Sequence, residues 1–149
     1  MFKPANITII ILLTVLCFGI NQVYSQQKNI DEILKQINFK LKVVNSMEGK
    51  WVVEANDDGD ILIKQTLSDG LELRYGLTMY DVRMEVKPIE NASLFALYFR
   101  CKEGNCVRFE NDNGLVRMDN FSTLFTKKQV EAEDLMKLFA KLKTYTKKT

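Results

Sequence analysis

Four turn-forming stretches spaced along the middle of the chain constrain its fold more than any other feature. They are DDGD (Asp57–Asp60), SDG (Ser68–Gly70), KEGN (Lys102–Asn105) and NDNG (Asn111–Gly114). Asp-Gly and Asn-Gly favour tight hairpins because both central positions of a type I′ turn need positive φ. Between and around these turns lie seven candidate strands: KWVVEA, DILIKQTL, LELRYGLTM, DVRMEVK, SLFALYFRC, CVRFEN and LVRMD. Gly76 inside the third marks a bulge or bend. Pro88 ends the fourth, since it has no N–H to give to a ladder. SLFALYF is apolar on both faces, which predicts the most buried strand.

Helical patterns flank the strands. In TKKQVEAEDLMKLFAKLK, Ala132, Leu135, Met136, Phe139 and Leu142 share one helical face, and Thr126 with Gln129 offers a capping-box start. Upstream, Ile30, Ile33, Leu34, Ile37, Leu41 and Val44 form a stripe at helical spacing, with Asn29 and Glu32 as a cap. This predicts a helix over 29–44. INFKLKV also alternates as a strand through Ile37, Phe39, Leu41 and Val43, so a switch from helix to strand near Ile37 stays open. The expected class is α+β: an antiparallel β meander or split barrel of about seven strands, an N-terminal helix and a packed amphipathic C-terminal helix.

The first residues have a different character. Lys3 is followed by an apolar run from Ile7 to Ile20, then polar Asn21 and Gln22, then VYS. That order is the pattern of a secretory signal peptide, with Val23 and Ser25 at the −3 and −1 cleavage positions. The run is short for a bilayer span, which takes roughly 20 apolar residues. Lipidation at Cys17 ranks below simple cleavage because Leu16 stands where such sites want a small residue. Residues 1–25 are therefore expected to be a signal peptide and 26–149 a single secreted or periplasmic α+β domain, with no membrane span after cleavage. Lys3 is the one charge removed from 21 basic and 19 acidic residues, leaving a formal net charge of +1. A near-neutral chain has no global field to recruit nucleic acid. The terminal KLKTYTKKT is expected to be a solvated, fraying tail.

Cleavage leaves two cysteines, Cys101 and Cys106. Zinc wants about four good ligands and the chain has no histidine. Redox pairs are usually spaced C-x-x-C, whereas here four residues intervene. In an oxidising compartment two nearby thiols normally pair, so Cys101 and Cys106 are expected to form a structural disulfide. With KEGN as a hairpin loop they would be its closing cross-strand pair, placing Tyr98 across from Phe109 and Arg100 across from Val107.

Without histidine, Ser-His-Asp and Cys-His arrangements are impossible, as is an H-E-x-x-H metal site. Glycine-rich nucleotide loops are missing too. EANDDGDILIKQ, from Glu54 to Gln65, sets oxygen ligands around Gly59 as a calcium loop would. It ends on Gln65 where a bidentate glutamate belongs, and strand-like flanks favour a plain turn at Asn56–Asp60. NAS at Asn91 and NFS at Asn120 fit the N-glycosylation pattern and matter only in a eukaryotic cell. Aromatics including Trp51, Tyr75, Phe99 and Phe109, with Tyr98, Phe121 and Phe125, are expected to pack the core. No catalytic, cofactor-binding or metal-ligating residue is assigned.

Over roughly Lys50–Lys143 the order of elements, strands closed by one amphipathic helix, resembles a pleckstrin-homology-like split barrel. The LYFRCKEGNCVRF segment with a helix at the chain end is similar to small uncharacterised secreted bacterial proteins. Neither resemblance brings an activity or ligand. The expected function is a non-catalytic binding module for a protein, peptide or small apolar ligand, with an open sheet edge able to accept a strand. The alternatives are a carboxylate-dependent envelope hydrolase and a lipid-carrying barrel with an internal cavity.

Overall fold

The structure, a computed structural model, describes residues 26–44, 49–90 and 92–146. The expected signal peptide and Asn91 lie outside these residues. A helix, α1, occupies 26–44. Eight strands follow: β1 (Lys50–Ala55), β2 (Asp60–Thr66), β3 (Glu72–Thr78), β4 (Val82–Pro88), β5 (Phe95–Cys101), β6 (Val107–Asn111), β7 (Val116–Asp119) and β8 (Phe121–Thr126). A second helix, α2 (Gln129–Tyr145), ends the described chain. Every strand pair is antiparallel, in a five-stranded sheet β1-β2-β3-β6-β7 and a three-stranded sheet β4-β5-β8. The class is α+β as expected, with eight strands and no closed barrel.

Three of the four turn signals make the hairpins their composition implies. DDGD joins β1 to β2, SDG joins β2 to β3, and NDNG joins β6 to β7. KEGN does not. β5 pairs with β4 and β8, whereas β6 pairs with β3 and β7, so the expected Tyr98–Phe109 and Arg100–Val107 pairs do not form. Tyr98 faces Glu85 and Thr123, and Phe109 faces Tyr75 and Arg117. The two sheets share one order of neighbours: β3, β6 and β7 in one match β4, β5 and β8 in the other. Each matching pair is consecutive in the chain, so three long strands cross from sheet to sheet and break at one line. The breaks fall at Met79–Asp81, Lys102–Cys106 and Asn120. Hydrogen bonds cross the line, Lys102 N–H to the Asp81 carbonyl and Cys101 N–H to the Asn120 carbonyl, both 2.8 Å. KEGN is an excursion out of the middle of a long strand.

The eighth strand, FSTLFT, has the period of two but inverted polarity. Ser122, Leu124 and Thr126 point inward and are buried, while Phe121 and Phe125 stand outside. Ser122 Oγ finds no hydrogen-bond partner among the described residues. β5 supplies Ala96, Leu97 and Phe99, each 0 % exposed, as the SLFALYF pattern implies.

The helices pack together on the inner side of the bent sheet. Ile30, Ile33, Ile37 and Leu41 of α1 share one core cluster with Leu135, Phe139 and Leu142 of α2 and with inward residues of both sheets. The alternative strand pattern in α1 fails because Phe39 and Val43 stay 68 % and 72 % exposed on its far side. Gln26 Nε2 donates to the Tyr145 carbonyl at 2.6 Å, and Lys40 bridges to Asp134 at 2.9 Å. These contacts, at opposite ends of the two helices, make them antiparallel. The Lys40 ammonium holds the Asp134 carboxyl below its ordinary range. Asn29 and Glu32 lie within α1, not at its start. α2 begins with Lys128 as N-cap, two residues beyond the expected Thr126. Glu131 accepts the Lys128 N–H there, while the Thr126 hydroxyl donates to the Lys128 carbonyl.

The start of KLKTYTKKT is anchored, contrary to a fraying tail. Tyr80, on the line between the sheets, donates its hydroxyl to the Thr146 and Lys143 carbonyls, and the Lys143 ammonium sits 5.2 Å from its ring centre. These contacts satisfy carbonyls that a helix leaves without internal partners. Only 147–149 lie beyond the described residues at this end.

α1 also seals one sheet edge. Asn38 accepts the Val53 N–H at 2.8 Å and donates to the Val53 carbonyl at 2.9 Å, taking the place of a neighbouring strand. Asn38→Ala is expected to lower stability by about 1 kcal/mol, because two backbone groups lose their partners. Urea denaturation reads this directly, and an unchanged midpoint and slope would contradict it.

Candidate functional site

The cysteines, the acidic turn and Gly76, far apart in the chain, come together beside the line where the strands bend. Cys101 and Cys106 are at disulfide distance, with Cα atoms 5.6 Å apart. They close the base of the KEGN excursion, and the Cys106 N–H lies 2.9 Å from Cys101 Sγ. Next to Cys106 a groove of about 510 Å3 opens on the outer face of the five-stranded sheet.

The sheet register builds this groove. One row of outward residues crosses all five strands: Glu54, Leu62, Gly76, Arg108 and Met118. Gly76 is the gap in the middle of the row. It sits in the regular ladder opposite Leu62 and Arg108, so of the expected bulge or bend the bulge is not there. Its φ is not among the positive values of the turn glycines. An added Cβ would meet nothing nearer than Arg108 at 3.9 Å, an ordinary contact. Neither backbone geometry nor crowding requires glycine here. In the interior of a strand glycine weakens the fold by roughly 0.5–1 kcal/mol relative to alanine. What its absent side chain leaves is the floor of the groove.

The walls are tied down. Asn56 Oδ1 accepts the N–H groups of Asp58 and Asp60 at 3.1 and 2.9 Å. Asp60 accepts from the Thr78 hydroxyl at 2.7 Å and from Asn56 Nδ2 at 3.2 Å. Glu54 pairs with Lys64 at 2.7 Å, and Arg108 with Glu110 at 3.1 Å. Gly59, at φ 90°, turns the β1–β2 hairpin, and its carbonyl accepts the Met79 N–H at 2.9 Å. The Asn56–Asp60 stretch is thus a hairpin turn whose oxygens hold the turn and β3 in place. Among the described residues no group of three or more acidic or cysteine side chains is placed to hold a metal ion. Chemically, the groove offers an apolar floor and a rim of Arg108, Thr78 and carboxylates that are already paired.

The outer face of the three-stranded sheet carries a second grouping. The Arg100 guanidinium lies 4.8 Å from the ring centre of Tyr98 and 5.6 Å from that of Phe121, and is paired with Glu85. Lys87 and Arg100 together hold the Glu85 carboxyl below its usual range. Trp51, Phe99 and Phe109 pack the interior as expected; Phe121 and Phe125 do not, and remain 43 % and 42 % exposed. Sequence reasoning missed the β8 part of this surface because the strand turns Ser122 and Thr126 toward the core and both phenylalanines outward.

Comparison with family models, with curated proteins and with solved structures finds no match to this chain.

Proposed function

We propose that the chain is an exported, non-catalytic binding module whose ligand site is the groove over Gly76. The observation that carries this reading is a glycine in mid-strand where the fold has room for a side chain; such glycines often mark close approach of a ligand. The ligand class that suits an apolar floor with a polar rim is a small, largely apolar molecule with one hydrogen-bonding or anionic group for Arg108. Export is supported by the pattern of residues 1–25 and by a cysteine pair at disulfide distance, which is compatible with an oxidising compartment. Among the described residues no helix is long and apolar enough to cross a membrane.

Two observations weigh against the alternatives. The groove's carboxylates, Glu54 and Asp60, are held by Lys64, Asn56 and Thr78, an arrangement suited to structure more than to proton transfer. A lipid-carrying barrel needs an enclosed cavity, whereas these sheets do not close and their inner side is filled by both helices.

Gly76→Val tests the assignment. Valine suits a strand and fills the groove, so the fold is retained while binding falls at least about tenfold. The readouts are titration with the apolar anionic dye anilinonaphthalene sulfonate, and capture from the native culture medium with wild-type and variant protein side by side. Equal dye affinity and equal capture by both proteins, with equal melting temperatures, would remove the groove as the site.

A further inference from the structure

α1 has two apolar faces. The inner one, Ile30, Ile33, Ile37 and Leu41, belongs to the core. On the other side stand Phe39 and Val43, the two most exposed large apolar side chains among the described residues. At about 100° per residue they lie roughly 145° round the helix from the core stripe, where an ordinary surface helix is polar. The alternation of INFKLKV, wound into a helix, is what divides buried Ile37 and Leu41 from exposed Phe39 and Val43. The helix is held against rolling to bury them. Asn38, just before Phe39, is bonded twice to Val53, and Lys40, just after it, bridges to Asp134.

The surroundings of this ridge are basic. Lys35 and Lys42 stand four residues before and three after Phe39, so they flank it on adjacent turns. Neither has an ion-pair or hydrogen-bond partner among the described residues. Between Glu32 and Glu48 the chain carries Lys35, Lys40 and Lys42 and no carboxylate, and of these Lys40 is taken by Asp134. Lysines near a helix C-terminus also suit its dipole, but the dipole gives no reason for a phenylalanine and a valine in water. Exposed Val52 on β1 extends the patch across a groove of about 620 Å3 lined by Leu34, Lys35, Phe39 and Lys42. Of the two carboxylates on that groove, Glu54 is paired with Lys64 and Asp31 accepts from Gln27.

We propose that α1 docks this protein on an anionic lipid surface. Phe39 and Val43 enter the boundary between headgroups and acyl chains, while Lys35 and Lys42 lay their apolar stems along it and meet lipid phosphates. The unpaired ammonium groups set the sign of the partner. The pattern favours lipid over an acidic protein. A helix seated in a protein groove presents apolar anchors at i, i+3, i+4 and i+7, whereas Glu32, Lys35 and Gln36 occupy the positions of that series before Phe39. Export also brings lipid within reach. The apolar run of the expected signal peptide ends at Ile20 and α1 begins at 26, a separation of at most about 20 Å of extended chain. The docking surface is independent of the groove over Gly76.

Cosedimentation with vesicles tests the docking, using the processed chain that begins at Gln26, holds every described residue and lacks the apolar run. Binding is expected to vesicles of mixed phosphatidylglycerol and phosphatidylcholine, falling as salt rises, and at least about tenfold weaker to phosphatidylcholine alone. Phe39→Ser with Val43→Ser, and separately Lys35→Gln with Lys42→Gln, should each weaken it about tenfold. All four positions are exposed, so the melting temperature should hold. Phe121→Ser with Phe125→Ser, the other exposed phenylalanine pair, should bind as the wild type does. No binding to the mixed vesicles, equal binding to both kinds, or binding that survives both α1 double variants overturns the proposal. So does a protein that ignores vesicles and binds polyglutamate, which would assign the patch to an acidic protein.

Discussion

Replacing Phe139 with alanine is expected to cost about 4 kcal/mol of stability, the largest effect of any single substitution considered for this chain. Phe139 is fully buried, and its ring meets Phe99 edge-on at 82° with centroids 4.9 Å apart. Phe99 is also 0 % exposed and sits on β5, the central strand of the three-stranded sheet. The pair joins α2 to that sheet, and Leu135 and Leu142 on the same helical face cannot follow a shrinking side chain without leaving the core. Removal therefore combines lost transfer energy with a residual cavity. Phe99→Ala should be of similar size, and the double variant should lose about 1 kcal/mol less than the two effects added, because the ring–ring contact is lost only once. Urea denaturation of all four proteins measures this. A loss below about 1.5 kcal/mol for Phe139→Ala would mean that the helix is not seated as described.

The second large effect belongs to the cysteines. Changing both Cys101 and Cys106 to serine should lower stability by about 2 kcal/mol, the chain-entropy value for so short a loop. The melting temperature should fall by roughly 5–10 °C. The pattern of the loss is as informative as its size. If the pair closed a hairpin, its removal would loosen the register of two partner strands. Here β5 is held by β4 and β8, and β6 by β3 and β7. Amide exchange should accelerate around Lys102–Asn105 and stay slow within β5 and β6. Fast exchange throughout both strands in the serine variant would contradict the topology.

The two elements misread from sequence show where local patterns stop. KEGN between two β-like runs is compatible with a hairpin and with an excursion from one continuing strand. The choice depends on β3, β4, β7 and β8, which are distant in sequence. FSTLFT escapes the strand pattern because two of its three inward positions, Ser122 and Thr126, are polar while both phenylalanines face outward. Hydrophobic alternation identifies a strand only when the apolar face is the buried one. By contrast, Ile30, Ile33, Ile37 and Leu41, and Ala132, Leu135, Phe139 and Leu142, repeat at helical spacing and are buried as that spacing implies. At the groove, Gly76 and the Asn56–Asp60 turn were visible as residues. Their meeting was not, because it rests on the transverse row from Glu54 to Met118 that only strand register creates.

The position of α2 after all eight strands has a consequence for the order of folding. Phe139 and Leu142 are made after all eight strands, so a nascent chain that has just completed β8 still lacks part of what fills their inner side. Premature folding would have to leave that surface wet. A polypeptide arranged this way can close its core only after α2 has been made.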